Sequence, residues 1–184
     1  CSWTSPFGRI DESSRFPSWH SGADYRNAVR PGRGSPFHSL GLMESTLRNQ
    51  LVALTLQWEH KFGNAPAITC ALSEYDAAML VGLTEDEYSA AMSGATSVQK
   101  GYDFKHGGKR YQVKANRPSG KPGSFVTRVP KTTNYEWDYL IWLLYDREYV
   151  IQEAWLWEVG AYRAAFHEVA RLSPKHHRGG QRLR

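Results

Sequence analysis

Apolar residues recur at steps of three and four between residues 40 and 62. They are Leu40, Met43, Leu47, Leu51, Leu54, Trp58 and Phe62. Because an α-helix has 3.6 residues per turn, this spacing places them in one stripe along a helix. Gly63 follows directly, and glycine is the residue that most often ends a helix. The pattern therefore predicts a long amphipathic helix that ends at Gly63.

Three further helices are predicted from shorter patterns. Residues 74–81 form the first, and residues 85–92 form the second, which the capping box Thr84-Glu85-Asp86-Glu87 introduces. The last helix covers residues 161–172. Its apolar side consists of Tyr162, Phe166, Val169 and Leu172.

After residue 94 the apolar period changes to two, which is typical of β-strands. Residues 102–104 and 110–114 flank the turn His106-Gly107-Gly108 and predict a β-hairpin. Residues 139–145 and 150–157 predict a second hairpin. Both faces of the second hairpin are apolar, so its strands are expected at the centre of a sheet. Helices, strands and a final helix indicate an α/β fold, or α+β, with a central mixed sheet flanked by helices.

The second hairpin and its approach are rich in tryptophan. The residues are Trp137, Trp142, Trp155 and Trp157. Such a cluster is either a platform on which bases stack or part of a hydrophobic core. We favour the core, because aromatic residues occur on both faces of these strands. His176 and His177 lack a partner cluster at metal-ligand spacing and are assigned to the basic tail.

Composition and length suggest the domain organisation. Residues 1–39 are rich in Pro, Gly, Ser and Arg without an apolar period, which is typical of a leader or linker. Residues 40–184 are predicted to form one domain that ends in a basic tail, 173–184. No apolar run approaches the ~18 residues that span a bilayer, so no membrane partner is expected. Cys1 and Cys70 are interpreted as incidental, no secretory signal is recognisable, and a cytoplasmic location is expected.

Positive charge is concentrated in residues 100–131. This block carries 9 basic and 1 acidic side chains, whereas the formal net charge of the whole chain is +5. A charge run is either a solvated surface or a surface that binds a polyanion. We favour contact with a phosphate backbone, because the charge is dense and is interrupted by Gly and Pro.

The segment 116–124 follows the first hairpin and combines basic with small residues. Small residues let backbone N–H groups approach phosphates, so the segment is a candidate clamp on a DNA backbone; a flexible surface loop is the alternative. A short strand is predicted at 125–129. The candidate nucleic-acid contacts are Lys105, Lys109, Arg110, Asn116, Arg117, Ser119, Lys121, Ser124, Arg128 and Lys131.

Three polar residues of the first hairpin could act together. Gln112 and Lys114 are two apart on one strand and share a face, and the hairpin brings Asp103 alongside them. Oxygen ligands, an acid and an ammonium group are the groups that metal-assisted phosphodiester hydrolysis uses. Taken singly, Asp103 could equally be a turn residue and Lys114 an exposed strand charge.

The stretch Gly101-Tyr102-Asp103 and the triplet Gln112-Val113-Lys114 resemble the motif of the PD-(D/E)XK nuclease superfamily, which has the restriction-endonuclease-like fold. Two positions depart from it, since Tyr102 replaces the proline before the aspartate and Gln112 replaces an acidic residue. The triplet of the Mrr-like branch of this superfamily is also similar to Gln-x-Lys. A glutamine offers a neutral oxygen ligand, and the lost charge weakens metal binding.

The resemblance implies catalytic roles for Asp103, Gln112 and Lys114, with Mg²⁺ (or Mn²⁺) held by Asp103, Gln112 and a glutamate of the first helix. Glu44 is the nearer match for that glutamate and Glu59 the second choice; a favourable charge in the first helical turn is an equal explanation of Glu44. The implied function is a DNA endonuclease of restriction or phage defence, and a homodimer is one implied state. The alternatives are a non-catalytic nucleic-acid-binding module with a degenerate site, and an interaction protein that uses its aromatic strands.

Overall fold

A computed structural model of the chain describes residues 46–93 and 101–184. The helices are α1 (Leu47–Phe62), α2 (Thr69–Leu80), α3 (Glu85–Ser93), α4 (Val159–Phe166) and α5 (Pro174–His177). The strands are β1 (Phe104–His106), β2 (Lys109–Asn116), β3 (Tyr139–Tyr145), β4 (Ile151–Glu158) and β5 (Gln181–Arg182). Residues 40–45 of the predicted first helix lie outside the described residues.

The strands form one mixed sheet in the order β1-β2-β3-β4-β5. Both predicted hairpins are confirmed, because β1 pairs with β2 and β3 pairs with β4 in antiparallel register. Strands β2 and β3 are parallel, with Gln112 beside Leu140 and Lys114 beside Trp142. The predicted α/β fold with a central mixed sheet is therefore confirmed, and β3 occupies the centre of the sheet as its apolar faces indicated.

The chain between β2 and β3 crosses one face of the sheet without a helix. The strand predicted at 125–129 is absent from it; Val129 makes a single bridge to Leu172 instead. Helix α4 ends at Phe166, six residues before the predicted end. Leu172 is extended and pairs with Val129, so it cannot continue the helix.

Hydrophobic residues cover both faces of the sheet. One cluster joins Ile141, Leu143 and Val113 to Leu72 and Ala77 of α2. The other joins Leu140 and Trp142 to Tyr162 and Phe166 of α4, and it also contains Trp137. Trp142 is fully buried and Trp137 is 1% exposed. These two tryptophans belong to the core, as the alternation along the strands predicted.

Ion pairs of Arg48 and Glu59, rather than the apolar stripe, hold helix α1 to the domain. The Arg48 guanidinium donates to both oxygens of Asp76 at 2.6 and 2.7 Å and to the carbonyl of Tyr149 at 3.0 Å. Asp76 also accepts a hydrogen bond from the Tyr145 hydroxyl at 2.7 Å. Asp76 and Tyr145 are buried, so this network ties α1 to α2 and β3 inside the protein.

The C-terminal residues predicted as a basic tail are folded. Strand β5 pairs with the edge of β4, and the Trp157 indole of β4 donates to the carbonyl of His177 at the end of helix α5. The His177 imidazole is fully buried and stacks on Trp142, with the ring centroids 5.0 Å apart. Burial lowers the pKa of His177 to about 4. The ring is therefore neutral at pH 7 and acts as a packing residue.

Two findings bear on the expected location of the protein. Cys70, interpreted from sequence as incidental, is disulfide-bonded, so the cysteine pattern does not support the cytoplasmic assignment. In residues 46–93 and 101–184, none of the helices has the length and apolar character needed to cross a bilayer.

Candidate active site

Asp103 and Gln112 are in direct contact at the open end of the first hairpin. Phe104 pairs with Tyr111, and the Asp103 N–H donates to the carbonyl of Tyr111 at 2.7 Å. This register places Asp103 opposite Gln112. The Asp103 Oδ2 atom accepts hydrogen bonds from the Val113 N–H at 2.6 Å and from the Gln112 side-chain amide. The structure thus brings together the first two of the three predicted residues.

Lys114 lies on the same face of the sheet as Gln112. Val113, between them, packs in the core cluster with α2. Successive side chains of a strand point to opposite faces, so Gln112 and Lys114 both leave β2 on the face away from α2. Gln112 is 8% exposed and Lys114 is half-buried. No hydrogen bond or ion pair joins the Lys114 ammonium to another described residue, which leaves it available to a ligand.

Glu74 of α2 is an acid that interacts electrostatically with Asp103. Burial raises the pKa of its carboxyl to about 7, and the Asp103 carboxylate adds to the rise while Lys114 opposes it. Glu74 therefore lies within electrostatic range of both predicted site residues. Sequence reasoning missed it, although a signal is present: Glu74 and Asp76 are the only charged residues of α2.

Neither glutamate proposed from sequence joins Asp103 in the described part of the chain. Glu44 lies outside the described residues. The Glu59 carboxylate accepts from the Arg117 guanidinium at 2.6 Å, so Arg117 holds it in place. Glu74 is the helix-borne carboxylate that the structure associates with Asp103.

Most of the predicted nucleic-acid contacts are occupied by interactions within the protein. Arg110 pairs with Asp138, Asn116 bonds to Trp142 and to the carbonyl of Arg128, and Lys131 donates to the carbonyls of His167 and Val169. The Ser124 hydroxyl donates to the carbonyl of Ser119. Arg117, besides its bond to Glu59, lies 4.3 Å over the Tyr149 ring and has a side chain only 8% exposed. These groups shape the loop that follows β2.

Four predicted cations remain accessible. They are Lys105, Lys109, Lys121 and Arg128, and all four are exposed. Within residues 46–93 and 101–184, Lys105 is the one of the four whose side chain makes a contact: its ammonium lies 5.2 Å from the centroid of the Tyr102 ring. Lys105 and Lys109 belong to the first hairpin, and Lys121 and Arg128 follow it in the loop. The accessible positive charge is therefore carried by the hairpin that bears Asp103 and by the loop after it.

The donor set at Asp103 suits a hard cation better than a soft one. It offers Asp103 Oδ1 and Gln112 Oε1, which accept no hydrogen bond from the described residues. Oxygen ligands are those that Mg²⁺ prefers, and Mg²⁺ commonly keeps several waters when few protein ligands are present. In the described part of the chain there is no group of three or more His, Cys, Asp or Glu side chains that could hold a metal. The residues fit a water-rich Mg²⁺ site and do not fit a zinc site.

Comparison with known proteins adds no assignment to this geometry. No protein-family model matches the chain, and no curated protein is recognisably similar to it.

Replacing Glu74 with glutamine is expected to stabilise the metal-free protein at pH 8. Because folding raises the Glu74 pKa from 4.5 to about 7, the unfolded chain loses this proton first as the pH rises. The stability that a protonated Glu74 contributes is present below pH 4.5 and lost as the pH rises through 7. E74Q should gain about 1 to 2 kcal/mol at pH 8, after allowance for solvent screening, and almost nothing at pH 4.5.

The measurement is urea unfolding of wild type and E74Q at both pH values with a chelator present. Glu168→Gln is the matched control, because the Glu168 side chain is 94% exposed. An E74Q gain of the same size at both pH values would contradict the assigned pKa.

Proposed function

We propose that this protein is a metal-dependent endonuclease that hydrolyses phosphodiester bonds in DNA, with a restriction-endonuclease-like arrangement of its site. The observation that carries the proposal is the contact of Asp103 with Gln112, next to Lys114 and within electrostatic range of Glu74. A carboxylate, an amide oxygen and an ammonium group that has no hydrogen-bond or ion-pair partner among the described residues suit phosphodiester hydrolysis. A role in restriction or phage defence is part of this proposal.

Each side chain has a distinct role in the proposed reaction. Asp103 and Gln112 would hold Mg²⁺ or Mn²⁺ through oxygen atoms. Such an ion, when bound, lowers the pKa of a coordinated water and neutralises charge on the phosphate. The Lys114 ammonium donates hydrogen bonds to the attacking water or to a non-bridging phosphate oxygen. Glu74, whose pKa lies near 7 without metal, can hold a proton near neutral pH.

DNA itself would be positioned by the accessible cations of the first hairpin and the following loop. Lys105, Lys109, Lys121 and Arg128 contact no acidic partner in the described part of the chain, so they can neutralise phosphates. Binding through such contacts weakens as salt increases, because counterions are released from the DNA. These contacts would carry no sequence information by themselves.

A non-catalytic nucleic-acid-binding module is the second candidate, and one observation favours it. The Gln112 amide donates to Asp103 Oδ2, so a neutral side chain already satisfies part of the carboxylate without a cation. A site that has lost one acidic ligand binds metal more weakly. Under this alternative, DNA binding persists and cleavage is absent.

Nicking of supercoiled plasmid in Mg²⁺ or Mn²⁺ tests the proposal. The wild-type chain is expected to convert the plasmid to open-circular and linear forms, and Lys114→Met should lower the rate about 100- to 1,000-fold, as the loss of a charge-stabilising donor does. Lys61→Met, at the end of α1, is the matched control and should cleave at the wild-type rate.

The two candidates give different results in the same preparation. Cleavage by wild type that Lys114→Met abolishes supports the endonuclease. Salt-dependent DNA binding without cleavage in either metal, unchanged in Lys114→Met, supports the binding module. Absence of both activities would contradict both candidates and favour a protein-interaction role.

A further inference from the structure

Helix α1 packs on the domain with its polar side inward. Arg48, Val52, Thr55 and Glu59 recur at steps of three and four and therefore share one side of the helix. Val52 and Thr55 are buried, and Arg48 and Glu59 are paired with Asp76 and Arg117. The side of α1 that faces the protein is thus held by two ion pairs and a few apolar contacts.

The apolar stripe that predicts this helix lies on its solvent side. The exposed fractions are 82% for Leu47, 38% for Leu51, 64% for Leu54, 51% for Trp58 and 53% for Phe62. We call these five residues the α1 stripe. A surface helix normally turns its apolar stripe to the core and its charged residues to water. In α1 the order is reversed. Leu54, Trp58 and Phe62 are more than half exposed, whereas Leu47 and Leu51 line an open cavity with residues of α2 and α3.

The α1 stripe is also free of charge over most of its length. Between Leu47 and Trp58 the residues on the outer side are Leu, Asn, Gln, Ala and Trp. Arg48, the one ionisable residue in that interval, points inward to Asp76. A helix that binds a membrane surface carries Lys or Arg beside its apolar face, and α1 has none beside this interval. Over Leu54 and Trp58 the surface therefore suits a neutral, apolar protein partner, and the acids Glu85 and Asp86 of α3 line the cavity beside Leu47 and Leu51.

The spacing of the stripe matches that of paired helices. Leu47, Leu51, Leu54 and Trp58 follow one another at steps of four, three and four, which is the a/d spacing of a heptad. Helices with this spacing pack side by side, and a neutral stripe is complementary to a copy of itself. A two-fold symmetric contact uses the same patch on both subunits and needs no opposite charge.

We propose that the α1 stripe is covered by the α1 stripe of a second copy of this chain in a two-fold symmetric homodimer. The exposed fractions correspond to roughly 500 Å² of apolar surface per copy, at about 200 Å² for each full side chain. Two copies would bury roughly 1,000 Å², which is about the minimum for a specific interface. This inference is independent of the proposed nuclease function, because no stripe residue belongs to the site at Asp103.

Sedimentation equilibrium of the full chain from about 1 to about 100 µM tests the dimer. The wild-type chain is expected to associate as a monomer–dimer equilibrium in the micromolar range. Leu54→Glu should raise the dissociation constant at least about 100-fold, because two carboxylates would be buried against each other at the centre of the contact. Phe125→Glu is the matched control: Phe125 is 77% exposed in the loop after β2 and should leave the constant unchanged.

A covalent test identifies the surface without relying on affinity. Leu54 lies at the middle of the stripe, where a two-fold axis brings the two copies of one residue together. Leu54→Cys should therefore form a disulfide-linked dimer under mild oxidation, and Phe125→Cys should not.

Three results would overturn the proposal. The first is a chain that stays monomeric across the whole range while a maleimide labels Leu54→Cys rapidly, which would show that the stripe is simply exposed. The second is a monomer in which Leu54→Cys is protected from the maleimide, which would show that another part of the same chain covers it. The third is a dimer that Leu54→Glu leaves intact.

Discussion

Asp103→Asn is expected to abolish Mg²⁺-dependent cleavage of DNA, with the rate lowered at least about 1,000-fold, if the proposed endonuclease is correct. Asparagine preserves the local structure. Its carbonyl oxygen can accept from the Val113 N–H and from the Gln112 amide as Asp103 Oδ2 does. Its NH₂ group replaces Oδ1, the oxygen left for a cation, and cannot bind one. The substitution thus removes an anionic ligand without emptying the site.

Two measurements check this expectation. Plasmid nicking reports the reaction, and the rise of Tm with Mg²⁺ reports binding of the metal to the folded chain. Asp86→Asn, an exposed change in α3, is the matched control and should retain both. Cleavage by Asp103→Asn at the wild-type rate would refute the assignment of Asp103. If the wild-type chain does not cleave DNA and Asp103→Asn leaves DNA binding unchanged, the non-catalytic module would be favoured.

Asp76→Ala is expected to lower the free energy of unfolding by about 3 to 5 kcal/mol, the largest stability effect that we predict. Asp76 is 5% exposed and accepts from both Arg48 and Tyr145. Its removal leaves a partly buried guanidinium and a buried hydroxyl without this acceptor. The pairing also has an electrostatic signature, because the hydrogen bond to Asp76 raises the pKa of Arg48.

Urea unfolding at pH 7 measures the loss. Asp86→Ala, which removes an exposed carboxylate from α3, should change stability by less than about 0.5 kcal/mol. The double variant Arg48→Met with Asp76→Leu should recover much of the loss, since replacing a buried ion pair by apolar side chains is often nearly neutral. A loss below about 1 kcal/mol for Asp76→Ala would show that water replaces the carboxylate at little cost.

The elements with a strong local signal could be predicted from the sequence. The hairpin around Gly107 and Gly108 was predictable because both glycines adopt positive φ values, 55° and 74°, which other residues rarely do. The apolar runs that form β3 and β4 indicated central strands, and both lie inside the sheet. By contrast, Leu172 was assigned to a helix because its spacing fits one. A long-range bridge to Val129 decided its conformation, and no local pattern reports such a contact.

In the candidate site, too, residues close in sequence could be associated from the sequence, and distant residues could not. Asp103, Gln112 and Lys114 could be associated from sequence because one tight turn joins their strands. Glu74 is separated from Asp103 by almost thirty residues, and its raised pKa depends on burial and on a neighbouring carboxylate. The sequence also did not indicate which groups of the protein the basic residues bind. The basic composition of its segment predicts that Arg117 contacts a phosphate. In the structure Arg117 instead pairs with Glu59, 58 residues away in the chain.

The sequence by itself determined the secondary structure near the hairpins, the α/β class and the concentration of positive charge in residues 100–131. These properties follow from residue type and local period, which act over a few residues. Only the tertiary structure decided which cations stay accessible, that Glu74 accompanies Asp103, and that α1 turns its apolar stripe outward. An amphipathic pattern indicates that a helix has an apolar side and a polar side. Which side faces the protein depends on the partners that Arg48 and Glu59 find in distant parts of the chain.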